Sequence, residues 1–198
     1  WVSLMLKLIK NKQGNFFSKL EKLLDKRKTL NNKVELKVKK ILNDIKKNKD
    51  KALIKYERKY SRNKNISHKE IKFSEKEIKT TIKKLDQKTK QAIDLAFDRI
   101  TKFHKQQKLI SYTVTDKYKN SFSYKSNAIE KVGIYVPGGI ASYPSSVLMN
   151  CIPAMIAGVK EIYMTTPSEN FFYNPAVLYA AKKCKVKEIY KAGGAQAI

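Results

Sequence analysis

The sequence predicts an α/β fold in which a helical region, residues 1–130, precedes an incomplete parallel βαβ sheet over residues 131–198. Three observations lead there. Apolar residues recur at helical spacing through roughly the first hundred positions. Three short apolar runs, centred on Ile134, Ile162 and Ile189, then follow 28 and 27 residues apart, the spacing of consecutive βαβ units. Charge changes at the same boundary: residues 1–131 hold 37 basic and 14 acidic residues, whereas 132–198 hold six and three.

Each element has its own local signal. Phe16, Phe17, Leu20, Leu23 and Leu24 mark a first helix. Val34, Val38, Ile41, Leu42, Ile45, Ala52, Leu53 and Tyr56 line one face of a long amphipathic helix. Ser61–Ser67 reads as a polar linker. Ser74 with Glu77 forms a capping box that opens the next helix. Ala92, Ile93, Ala96, Phe97, Ile100 and His104 place another from about Asp86 to Gln107. Tyr112, Val114, Tyr118, Phe122 and Tyr124 alternate weakly, as in a short hairpin over 110–125.

Beyond residue 130 the period changes. Val132–Val136 is a strand that ends in Pro137-Gly138-Gly139. Ser145–Ala157 is a mostly apolar helix closed by Gly158. Glu161–Thr165 is the second strand, and Asn174-Pro175 caps a helix that runs to about Cys184. Glu188–Lys191 is the third strand, after which Gly193-Gly194-Ala195-Gln196 opens a further turn. Ligands of such sheets sit beyond the carboxyl ends of the strands, where both Gly-Gly turns fall.

Composition narrows the class. A chain of 198 residues with 42% apolar residues can bury a core. No apolar run has the length of a membrane span, and the opening Trp1–Ile9 lacks a signal-peptide cleavage pattern. Trp1 in place of Met suggests a fragment. Cys151 and Cys184 have no metal-type spacing and read as structural thiols of a reducing cytoplasm. The net charge of +26 raises a polyanion-binding module, with the basic helices of residues 1–131 as its surface, as a rival function. Yet only four of the 43 basic residues are Arg, the side chain suited to bidentate phosphate and base contacts, and the lysines occupy every solvated position. Nucleic acid is not an expected partner.

The candidate site residues sit at the strand ends. The glycines after Val136 permit a tight turn and a close backbone approach, although the run is not a G-x-G-x-x-G fingerprint and Glu161 is poorly placed as its ribose carboxylate. Tyr135 reads either as a half-buried structural tyrosine or as a ring stacked on a planar cofactor. Gln196 reads either as a solvent-facing residue of a first helical turn or as an amide offered to a ligand. His68 reads as a surface residue and His104 as a packed helix histidine, and neither belongs to a metal-ligand pattern. Ser145-Ser146 is a helix first turn, not a nucleophile elbow.

Taken whole, the blocks VGIYVPGGIASYPSSVLMNCIPAMIAGVKEIYMTTP, NPAVLYAAKKCKVKEIY and KAGGAQAI resemble the histidinol dehydrogenase family, and VKKILNDIKKNKDKALIKYERKY is similar to its helical leader. The resemblance implies a cytoplasmic, homodimeric, zinc-dependent enzyme that oxidises L-histidinol through L-histidinal to L-histidine with two NAD. It also implies Rossmann-like units of aldehyde-dehydrogenase-like architecture. By motif position Tyr135 and Gln196 become NAD contacts. The family's zinc ligands, substrate residues and Glu-His acid/base pair are expected beyond Ile198, so no catalytic or metal residue is expected within the chain and residues 1–198 alone are expected to be inactive. Another aldehyde-dehydrogenase-like oxidoreductase is a further rival, against which stands the lack of a cysteine-nucleophile motif. Two positions depart from the family pattern: Ile140 replaces a small polar residue, and Lys185 replaces a Gly that would cap a helix.

Overall fold

The computed structural model describes residues 15–28, 32–61, 64–138, 143–167 and 173–198. The chain forms two compact units, Trp1–Asn43 and Asp44–Ile198. The composition boundary at residues 130/131 falls inside the second.

The first unit holds α1 (Phe16–Lys28) and the opening of α2 (Asn32–Tyr60). Phe16 and Phe17 meet edge to face, and Phe17, Leu24, Val34 and Leu36 stay exposed while Ile41 is buried. The sequence predicts α2 as one continuous helix, but Lys49 leaves helical geometry at φ 46° and ψ −127° and divides it. Asp44 spans the break. Its carboxylate accepts from Asn48 Nδ2 at 2.6 Å before it, and from Lys55 Nζ and Tyr56 Oη at 2.8 Å after it. Those donors, Lys55 first, hold the Asp44 carboxyl well below the usual carboxylate range.

The second unit continues with α3 (Glu75–Lys83), α4 (Gln87–Lys105) and the hairpin β1 (Tyr112–Thr115) and β2 (Ser121–Tyr124). The capping box at Ser74 and Glu77 is complete, and Asp86 caps α4 by accepting the Thr89 N–H at 2.8 Å. The hairpin pairs Tyr112 with Tyr124 and Val114 with Phe122 on one side, and Thr113 with Ser123 and Thr115 with Ser121 on the other. The described residues of the predicted linker form no helix or strand, but it is not wholly solvated. Ile66, the one large apolar residue in it, is fully buried at 0% exposure against Ile54, Ile71 and Ala192.

β3 (Lys131–Tyr135), β4 (Glu161–Thr165) and β5 (Glu188–Tyr190) form a parallel sheet in chain order, with α5 (Pro144–Ala157) and α6 (Pro175–Lys183) as crossovers. The far edge of β5 is covered by residues 71–73, where the Phe73 N–H donates to Ile189 O at 2.9 Å. Strand alternation gives the sheet two unlike faces. Ile134, Val136, Ile162, Met164 and Ile189 pack against Val147, Leu148 and Ile152 of α5, Leu178, Ala180 and Ala181 of α6, and Ile82 and Ile93 of α3 and α4. Gly133, Tyr135, Glu161, Tyr163, Thr165, Glu188 and Tyr190 form the other, partly exposed face. Cys151 and Cys184 are buried free thiols, and contact with Cys184, reinforced by burial, pushes the Cys151 thiol up and keeps it protonated.

Both crossover helices end in the same double-bonded turn. At α5, Val159 N–H donates to Ala154 O and Gly158 N–H to Met155 O, with Gly158 at φ 95°. At α6, Val186 N–H donates to Ala181 O and Lys185 N–H to Lys182 O, with Lys185 at φ 55°. The left-handed residue is thus glycine once and lysine once.

Candidate functional site

The carboxyl ends of the three strands are drawn together from the backbone outward. The parallel ladder continues one residue past β3 and β4, with Val136 N–H donating to Thr165 O at 2.9 Å and Thr166 N–H to Tyr190 O at 3.0 Å. Thr165 Oγ1 donates to Ala192 O at 2.7 Å and so holds the turn after β5 against β4. Pro167 then sits between two glycines. A Cβ on Gly138 would come 2.6 Å from Pro167 Cγ, and one on Gly193 would come 2.4 Å from Pro167 Cβ. Gly138 does not take a positive φ, so its glycine is required by this close approach and not by the turn conformation the sequence predicts. Gly139 and Ile140 lie outside the described residues.

Gly194 is the conformationally demanding glycine, at φ 65° and ψ −168°, a combination reached essentially by glycine alone. It redirects the chain into a 3-10 turn, Ala195–Ala197, where the sequence predicts the start of a helix. The Gln196 side chain folds back over Gly194, its Oε1 3.0 Å from where a Cβ would stand.

Beside these tips, on the partly exposed face, lies a cavity of about 280 Å³ lined by Gly133, Tyr135, Tyr163, Thr165, Tyr190, Ala197 and Ile198, with Ile134 and Met164 behind. Tyr135 is half-buried and contributes to the wall. Gln196 is different. It is 8% exposed, not solvent-facing, and its Nε2 donates to Glu57 Oε1 at 2.7 Å. The residues after it, Ala197 and Ile198, line the cavity with Tyr135, whereas the Gln196 amide nitrogen points to α2. Sequence reasoning passed over Glu57, which also accepts the Gly193 N–H at 3.0 Å.

Charge on the open face is paired. Glu161 meets Lys187 Nζ at 2.7 Å, Lys131 Nζ at 3.2 Å and Tyr163 Oη at 2.7 Å, which together hold its carboxyl down at about 2. Glu188 binds Lys72 Nζ at 2.6 Å and accepts from Tyr190 Oη, and that bond pushes the Tyr190 hydroxyl up to about 12. Glu161 therefore serves the ion-pair cluster at the amino end of β4. Lys191 is buried with its Nζ 2.5 Å from Glu77 Oε1 and over the ring of Phe73.

A larger cavity, about 530 Å³, lies before β3 and is lined by His104, Gln107, Leu109, Ile129, Val132 and Pro153 among others. His104 is half-buried, with Nδ1 2.6 Å from Gln107 Oε1, and His68 is exposed. This cavity is remote from the strand tips, and no other feature described above converges on it. Among the described residues no three His, Cys, Asp or Glu side chains gather as metal ligands. Among the same residues no helix is long and apolar enough to cross a membrane.

Comparison with known proteins gives the site a context. Residues 24–198 match the family model for histidinol dehydrogenase. The chain is 53% identical over 98% of its length to histidinol dehydrogenase of Pelagibacter ubique, and 41% identical over 98% to that of Carboxydothermus hydrogenoformans. It spans 44% of the length of each of these relatives. The crystal structure of histidinol dehydrogenase from Elizabethkingia anophelis superposes with a TM-score of 0.78 at 39% identity, covering 84% of this chain and 38% of that one.

Proposed function

The chain belongs to the histidinol dehydrogenase family, and from that premise we propose that it supplies part of the NAD site of an enzyme that oxidises L-histidinol through L-histidinal to L-histidine. One observation carries the reading: Tyr135 and the turn that follows Gly193-Gly194 line the same cavity at the carboxyl ends of a parallel sheet, where such sheets bind their ligands.

The cavity fits a part of the cofactor. Its volume of about 280 Å³ is just below the usual range of ligand pockets, about 300 Å³ and above, and is too small for a whole dinucleotide. Tyr135 would present its ring to a planar group, Gly133 leaves open space above β3, and Ala197 and Ile198 close the far wall. Bound NAD supplies the hydride acceptor for each oxidation. The residues in hand bind and orient it, and none of them is assigned a proton-transfer role.

The described residues gather no set of three His, Cys, Asp or Glu side chains for a zinc ion. We assign the zinc ligands and the Glu-His acid/base pair to the remainder of the longer family protein, together with the substrate contacts. A cytoplasmic homodimer with a Rossmann-like sheet of the aldehyde-dehydrogenase type completes the proposal.

The test is NAD affinity in the full-length protein. Tyr135→Ala weakens it about tenfold or more, whereas Tyr135→Phe, which keeps the ring, stays within about twofold. Residues 1–198 alone produce no NADH from L-histidinol. Unchanged NAD affinity in Tyr135→Ala removes the cavity from consideration.

A further inference from the structure

Glu57 is 1% exposed on the last turn of α2, although glutamate is seldom fully buried without partners that repay its desolvation. Its partners are specific. One carboxylate oxygen, Oε1, accepts the Gly193 backbone N–H at 3.0 Å and Gln196 Nε2 at 2.7 Å. Both donors belong to the single turn that leaves β5 and whose end walls the cavity. The carboxylate is delivered by packing. Ile54, one helical turn earlier on the same face of α2, is buried with Ala192, the residue before Gly193. Arg58 Nε donates to Ile66 O at 2.9 Å and fixes the helix end from its other side.

We infer that Glu57 is a positioning residue for the dinucleotide site: its carboxylate sets the Gly193–Gln196 turn, and with it the cavity wall formed by Ala197. The inference rests on the NAD reading above and adds a residue from the helical region to that site. The physical requirement is an acceptor, not a charge, because both bonds come from neutral N–H groups. A glutamine at position 57 keeps one carbonyl oxygen able to accept both. Alanine and leucine keep none, and they leave the Gly193 N–H and the Gln196 amide buried without a partner. Thr165 and Pro167 hold the start of the turn at Ala192 and Gly193, whereas the Gln196 amide nitrogen is held by Glu57, so losing that anchor lets Gln196 leave its position over Gly194.

The experiment uses the full-length protein and three variants, Glu57→Gln, Glu57→Ala and Glu57→Leu. NAD and L-histidinol dissociation constants are measured by calorimetric titration, and hydrogen exchange is followed at the Gly193 amide. The expected result is NAD affinity about tenfold weaker in Glu57→Ala and Glu57→Leu and within about twofold of the parent in Glu57→Gln. L-Histidinol affinity stays unchanged, and Gly193 loses exchange protection only in the two apolar variants. Unaltered NAD affinity in Glu57→Ala overturns the inference while leaving the NAD reading intact. Equal loss in Glu57→Gln, or loss of both affinities with a general rise in exchange, also overturns it, since that marks a merely structural residue. A parent protein that fails to bind NAD refutes the NAD reading itself and removes this inference with it.

Discussion

Pro167 occupies the space that a side chain at Gly193 would need: a Cβ there would stand 2.4 Å from Pro167 Cβ, closer than any ordinary carbon contact. Gly138 approaches the same proline from β3, with a Cβ position 2.6 Å from Cγ and 2.9 Å from the carbonyl oxygen. Gly193→Ala and Gly138→Ala should therefore each destabilise the fold by about 1–3 kcal/mol through overpacking. Gly133→Ala, with nothing within 4 Å of its Cβ position, should be neutral or stabilise by up to about 1 kcal/mol, since glycine weakens a strand interior. Urea unfolding midpoints of the three variants separate these outcomes, and equal midpoints would remove the packing argument.

The helix ends allow a stabilising change. Lys185 holds φ 55° in the turn that closes α6, the role filled by Gly158 after α5. A side chain in that left-handed region costs about 1–2 kcal/mol, part of which glycine gives back as extra freedom in the unfolded chain. Lys185→Gly should accordingly raise the unfolding midpoint by the equivalent of about 1 kcal/mol, and Gly158→Lys should lower it by a similar amount. A lower midpoint in Lys185→Gly would contradict the assignment of the turn.

Acid stability should depend on Glu161. Lys187 first, then Tyr163 and Lys131, hold its folded carboxyl at about 2, below the ordinary glutamate value near 4.3 in an unfolded chain. The folded state thus binds fewer protons than the unfolded state between those limits. Its contribution to stability is complete above about pH 4.3 and is lost as pH falls toward 2. Glu161→Gln should flatten the stability profile across that window and leave the slope near neutral pH unchanged. Stability measured by urea unfolding from pH 2 to 7 reads this directly, and parallel profiles would exclude Glu161 from the acid response.

What the sequence discloses here is what depends on neighbours in the chain. The capping box at Ser74 and Glu77, the Asn174 cap and the Gly158 turn are set by residues within a few positions, and each forms as their order predicts. The three strands are legible because their apolar runs recur at βαβ spacing. The break at Lys49 left no mark, since lysine carries neither the missing N–H of proline nor the freedom of glycine. Ile66 was hidden because a single apolar residue in a polar run has no period. Tyr135 could be singled out by its place at a strand end. The direction of the Gln196 amide could not, because it is set by Glu57, 139 residues away.

The two unlike faces of the β3–β4–β5 sheet divide the strand residues by what they touch. Side chains at 134, 162, 164 and 189 are committed to the interior, while those at 133, 135, 163, 165 and 190 border open space on the same backbone. Substitutions in the second set act on the cavity and on the bonds that Tyr163, Thr165 and Tyr190 make beside it, whereas those in the first set act on the core.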